Sequence, residues 1–122
     1  MFHYNGPTCR SEGECPPGLH YYFDYVAETE FQFSTIESFE NVEYSCQITR
    51  GGNARFMSFF GVNIFLTMPD PLGANTLNSL EFIRNRVAAC SEFNENKTVN
   101  FVYFDFWSVG NILEYATTYN SQ

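Results

Sequence analysis

Val99-Asn100-Phe101-Val102-Tyr103-Phe104-Asp105-Phe106-Trp107-Ser108-Val109-Gly110 reads VNFVYFDFWSVG, a run of apolar and aromatic residues with one carboxylate near its end. A strand that is apolar on both faces is typical of a parallel sheet covered by helices. Residues 59–67, FFGVNIFLT, have the same character, and Pro69-Asp70-Pro71-Leu72-Gly73 ends that run. Between the two lies a predicted helix over about 75–89. Its Leu77, Leu80, Ile83, Val87 and Cys90 recur at spacings of three, three, four and three, which is one helical face, while Asn78, Glu81 and Asn85 fall elsewhere. Residues 108–120 repeat the helical pattern through Val109, Ile112, Leu113, Ala116 and Tyr119, with Ser108 as the expected N-cap. Strand, helix, strand, helix defines the α/β class, with parallel strands joined by a right-handed crossover.

Upstream the signals are shorter. Residues 1–5 read as the end of a strand that Gly6-Pro7 breaks, and 7–18, PTCRSEGECPPG, as a loop. Residues 19–27 fit either a short helix or a strand. Residues 28–33, ETEFQF, alternate as a half-buried strand does. A turn with a short helical piece is expected over 34–41, a weaker strand containing Cys46 over 42–49, and a loop over 50–53. There is no internal repeat and no linker, so 1–122 reads as one domain.

Composition narrows the function. A chain of 122 residues buries about two-thirds of its unfolded surface. With 44% hydrophobic and 19% aromatic residues it is expected to be globular with an aromatic core. The net charge of −8 builds no basic patch, which argues against nucleic-acid binding and against docking on an anionic membrane. No apolar run approaches the roughly 20 residues of a bilayer span, and Met1-Phe2-His3-Tyr4-Asn5 is not a signal peptide. The four cysteines, Cys9, Cys15, Cys46 and Cys90, contain no CxxC pair, so no metal site is expected. Their even count suggests two disulfides, for which three connectivities exist. A Cys9–Cys15 bridge would staple the first loop, and a Cys46–Cys90 bridge would tie the middle strand to the helix end. With the sequon Asn96-Lys97-Thr98, the cysteines point to an extracellular or secretory location, any signal peptide then lying upstream of Met1.

An ordered set of short motifs carries a resemblance: Glu28-Thr29-Glu30-Phe31; Ser45-Cys46-Gln47-Ile48-Thr49-Arg50-Gly51; Val62-Asn63-Ile64-Phe65-Leu66; Ala74-Asn75; Asn100-Phe101-Val102-Tyr103-Phe104-Asp105-Phe106; and a final helix ending in Tyr119-Asn120. In order and spacing the chain resembles the later part of the phosphatidylinositol-specific phospholipase C-like phosphodiesterases. The resemblance implies a partial TIM-type (β/α) barrel, roughly its C-terminal half, since a whole barrel needs about 250 residues. It implies a phosphoric diester hydrolase with a phosphodiester or phospholipid substrate, and leaves cofactor and head group open. The family's two catalytic histidine motifs are absent, and Asn63-Ile64 stands where many members have Asn-His. The isolated chain is therefore expected to be an inactive fragment.

The candidate site residues follow. Asp105 near the end of its strand matches a late-strand aspartate that in some family members orients a catalytic histidine; its other reading is a cap or backbone acceptor at the next helix. An isolated buried charge in an apolar run costs several kcal/mol, so either role requires a partner. Glu28 shares a strand face with Glu30, and paired carboxylates serve acid–base work when their environments differ, although such a pair is also the pattern of a solvated face. Asn63, on a face with Phe59, Gly61 and Phe65, is a candidate for a substrate hydroxyl or phosphate oxygen, with Gly61 leaving space beside it, and equally reads as a satisfied core amide. Arg50 beside Gly51-Gly52 is a candidate phosphate contact or a surface loop arginine. His3 and His20 are each candidates for a general base, although a lone histidine is more often structural. The rival reading is a secreted, disulfide-stapled, non-catalytic binding module or a degenerate paralogue. Open sheet edges predict self-association of the isolated chain.

Overall fold

The computed structural model describes residues 15–122. The expected strand end at 1–5, His3, Cys9 and most of the first loop lie outside the described residues. Four strands form one open sheet: β1 (Val26–Thr29), β2 (Ile48–Arg50), β3 (Phe59–Ile64) and β4 (Phe101–Phe104), in the order β2-β1-β3-β4. β1 pairs parallel with β3, and β3 parallel with β4, whereas β2 runs antiparallel against β1. The chain is therefore mixed α/β with a mostly parallel sheet, as the two apolar runs imply.

Helices α1 (Val42–Cys46), α2 (Ala74–Leu77), α3 (Leu80–Phe93) and α4 (Ile112–Asn120) complete the fold, with short 3₁₀ turns at Tyr22–Asp24, Ile36–Glu40 and Ala54–Phe56. The core forms where Ala27, Phe60, Val62 and Ile64 of the sheet meet Leu77, Ile83, Val87 and Cys90 of the crossover helices. The opposite sheet face, with Glu28, Gly61 and Tyr103, has no such helix layer among the described residues; the Tyr22–Asp24 turn folds over it.

Three expectations need correction. Residues 42–46 are helical, not extended. Asn41 caps that helix by accepting from the Tyr44 amide at 3.1 Å, and Ser45 Oγ donates to the Phe39 carbonyl at 3.1 Å. These local bonds outweigh the weak alternation of 42–49, and only Ile48–Arg50 remains extended, so Arg50 is a strand residue and not a loop residue. The strand over 99–106 is shorter and less buried than its apolarity suggests. Among the described residues β4 is the outermost strand, with Phe101 39% exposed and Val102, Tyr103 and Phe104 half-buried. The final helix starts at Ile112 after Asn111, not at Ser108.

The crossover helix is also divided, and one side chain explains it. Asn78 is 1% exposed. Its Nδ2 lies 2.9 Å from the carbonyl oxygen of Asp105, 3.3 Å from that of Phe106 and 3.2 Å from that of Val109. Its own carbonyl accepts from the Asn111 amide at 2.8 Å and so leaves the helical ladder. Ser79 then begins a new helix, its Oγ accepting from the Phe82 amide at 3.3 Å. The loop after β4 is thus moulded around Asn78, with Phe106 left-handed at φ 53° and Gly110 at φ 80°. A Cβ on Gly110 would stand 2.5 Å from the Asn78 carbonyl oxygen.

Cys46 and Cys90, both fully buried, form a disulfide that joins α1 to α3 across 44 residues. On the chain-entropy account a loop of that length is stabilised by about 4 kcal/mol. Cys15 is also disulfide-bonded, and its expected partner Cys9 lies outside the described residues. Among the described residues no helix is long and apolar enough to cross a membrane.

Asn78→Ala would remove the side-chain donor shared by three loop carbonyls, and is expected to cost about 2–3 kcal/mol in urea unfolding. Gly110→Ala should destabilise to a similar extent through its left-handed backbone and the clash with Asn78.

Candidate functional site

Pairing places Glu28 beside Gly61 on β3 and beside Arg50 on β2, while Asn63 pairs with Tyr103 on β4. Strand alternation therefore brings Glu28, Arg50, Gly61, Asn63 and Tyr103 to the sheet face opposite the helix layer. Three of the four substrate-facing candidates from the sequence, Glu28, Asn63 and Arg50, meet there.

Glu28 is the centre of this face. Its side chain is 6% exposed, and Oε2 lies 2.5 Å from Nη2 of Arg50, whose side chain is 36% exposed. This charge contact falls short of hydrogen-bond alignment: Glu28 Oε2 and Arg50 Nε are both buried without a hydrogen-bond partner among the described residues. The guanidinium of Arg50 stacks 3.9 Å from the centre of the Phe31 ring and lies 5.4 Å from that of Phe23. An arginine held by one carboxylate and two aromatic rings keeps its orientation and retains donor capacity. Glu30 does not share this site. Its Oε1 accepts from the amides of Phe31 and Gln32 at 2.8 and 2.9 Å, so it organises the chain leaving β1.

Tyr103 lies across Gly61. A Cβ there would be 2.7 Å from the Tyr103 ring and 3.3 Å from Glu28 Cγ. The space expected beside Asn63 at Gly61 is thus filled by this tyrosine, which is a correction to the sequence reading. The Tyr103 hydroxyl meets that of Tyr22. Burial pushes the Tyr103 phenol up to about 12, so it is a neutral donor across the physiological range.

Asn63 is 1% exposed and tied to β1. Its amide Nδ2 donates to the Thr29 carbonyl at 3.0 Å, and its backbone N–H donates to Thr29 Oγ1 at 3.0 Å. Asp105 lies elsewhere. It is half-buried just past β4, lining a small cleft with Asp70, Ala74, Leu77 and Asn78 at the carboxyl ends of β3 and β4. Its backbone carbonyl is held by Asn78, and Asn111, not Asp105, occupies the N-cap position of α4. His20 packs edge-on to Tyr25 at 5.3 Å, with Nδ1 3.3 Å from the Tyr25 hydroxyl. No group of three or more metal-ligating side chains is present among the described residues.

Sequence reading passed over one participant. Tyr103 was legible from the β4 alternation as a neighbour of Asp105, but its reach back over Gly61 depends on the register with β3.

Comparison of the chain with family models, curated proteins and solved structures finds no match in any of the three.

Raising a tyrosine pKa in the folded state favours the neutral form. That contribution to stability is complete below pH 10 and is lost as pH rises towards 12. Tyr103→Phe is expected to remove one late-ionising phenol from the ultraviolet titration of the native protein, leaving the late step of Tyr115, which burial also pushes up to about 12.

Proposed function

We propose that this chain is part of a phospholipase C-like phosphoric diester hydrolase, and that its parallel strands are neighbouring staves of a (β/α) barrel whose inner face carries Glu28, Arg50, Asn63 and Tyr103. One observation carries the reading. Residues 28, 50, 63 and 103 are distant in sequence yet converge on the sheet face turned away from the helices, where a barrel holds its interior. On this reading Arg50, fixed by Glu28 and the rings of Phe31 and Phe23, faces a non-bridging phosphate oxygen with its remaining donors. The neutral Tyr103 hydroxyl donates to a second substrate oxygen. Glu28 holds the arginine in place, and the guanidinium donors that Glu28 leaves free meet the phosphodiester.

Acid–base cleavage also needs two proton-transfer groups beside the phosphorus. The described residues contain one histidine, His20, engaged with Tyr25, so the chain is assigned substrate contact and not turnover. The disulfide chemistry of Cys46, Cys90 and Cys15 supports an oxidising, secretory setting. A second reading, a secreted non-catalytic binding module, draws on the highly exposed Met68, Leu72, Trp107 and Leu113.

The purified 122-residue chain, titrated with glycerophosphoinositol, should show amide shifts at Gly61 and Tyr103 that vanish in Arg50→Met, and no turnover of inositol phospholipids or aryl phosphodiesters. Absence of any shift on that face would sink the reading; robust turnover lost in Asp105→Asn would overturn the claim of inactivity. Because β4 has no strand beyond it among the described residues, sedimentation should show concentration-dependent self-association, and an ideal monomer at all concentrations would contradict it.

A further inference from the structure

We propose that Asn96 carries an N-linked glycan whose first sugar seats in the groove between α3 and α4. Asn96-Lys97-Thr98 is the one Asn-x-Ser/Thr sequon in the chain, and its middle residue is not proline. The structure gives this motif a setting that composition alone does not. Asn96 and Thr98 are both exposed, just past the end of α3. Glu95 and Asn96 are left-handed, at φ 55° and 59°, which turns the chain sharply out from the helix end. The turn is fixed from both sides. The Lys97 amide donates to the Asn94 carbonyl at 3.1 Å, Ser91 Oγ donates to the Lys97 carbonyl at 2.9 Å, and Lys97 Nζ reaches the Met57 carbonyl at 2.7 Å. The Asn96 amide itself has no hydrogen-bond partner among the described residues, so a substituent on it displaces nothing.

Beside it lies a groove of about 390 Å³. Asn96 and Thr98 form part of its wall, and Val87, Val99, Tyr115 and Tyr119 supply an apolar floor with Arg84 at the side. Tyr119 stacks on Tyr115 with ring centres 5.6 Å apart, and its hydroxyl lies 3.4 Å from the Val99 carbonyl, so its ring is held in place. An N-acetylglucosamine has one apolar pyranose face and an acetamide. The first suits a fixed tyrosine ring, and the second suits the guanidinium of Arg84. Attached at Asn96, the sugar needs no reach beyond the groove wall.

The modification balances as a glycosyl transfer. Asn96 Nδ2 forms a bond to C1 of an oligosaccharide donated by a polyprenyl diphosphate. The C1–O bond to the diphosphate breaks, the diphosphate leaves with that electron pair, and the amide gives up one proton. The inference rests on the secretory setting proposed above, and its test separates the two.

The full chain is carried through the secretory pathway of a eukaryotic cell by an appended leader and analysed by intact mass. Most secreted molecules should carry an added core glycan that peptide N-glycosidase removes. The addition should be lost in Asn96→Gln and Thr98→Ala and retained in Thr98→Ser. Trimming to a single N-acetylglucosamine should shift the ring signals of Tyr119 relative to the fully deglycosylated chain. Secretion of a disulfide-bonded chain at unmodified mass would overturn the glycan and leave the secretory setting intact. A glycan that leaves the Tyr119 signals unmoved would overturn its seat in the groove. Folding controls come from Thr98→Ala, which alters an exposed side chain alone.

Discussion

A guanidinium with no carboxylate partner among the described residues sits at the heart of the helix layer. Arg86 is 5% exposed. Nη1 donates to Ser45 Oγ at 2.7 Å and lies 3.0 Å from Cys46 Sγ, and Nη2 donates to the Ser45 carbonyl at 2.5 Å. The Phe39 and Phe33 rings lie 5.1 and 5.6 Å from it. Nε has no hydrogen-bond partner among the described residues, and burial lowers the guanidinium pKa to about 10. A buried charge is tolerated when local dipoles replace water. Here the end of α1 supplies the dipoles and the aromatic rings supply their faces. The consequence reaches the whole fold. α1 must be a helix for Ser45 and Cys46 to face α3, and the Cys46–Cys90 bond then fixes the two together. With α3 anchored, the crossover from β3 to β4 is held against the sheet through Ile83, Val87 and Cys90.

That dependence explains which parts of the fold were legible. The two apolar runs and the helical stripe between them are dominated by burial, and burial writes a period into the sequence. The α/β class and the positions of β3, α3 and β4 follow from it. The segment 42–49 carries no strong period. Its structure is decided by an Asn41 cap, a Ser45 side-chain bond and a partner forty residues away, and none of these shows in local alternation. The break at Asn78 is of the same kind. Three carbonyls in a loop downstream claim that amide, and a helical stripe of leucines and isoleucines gives no hint of it.

The candidate site was legible in its membership and not in its geometry. Glu28, Asn63 and Arg50 were singled out separately, and the sheet register brings them to one face. Glu28 and Arg50 proved to be partners, which neither local pattern reveals, because β2 reverses direction to lie against β1. Tyr103 completes the group by crossing a glycine on the neighbouring strand. Asp105 shows the opposite outcome. Its place at a strand end is the one expected, but the loop wrapped on Asn78 carries it towards Asp70 and the helix side.

The reversal of β2 also makes the two margins of the sheet unlike. One is the three-residue antiparallel strand that carries Arg50. The other, at β4, flanks a groove of about 220 Å³ between Val102, Phe104 and the Ile112 and Ala116 side of α4. Pairing of β4 with the β4 of a second copy about a twofold axis would use both of those margins and form a closed pair.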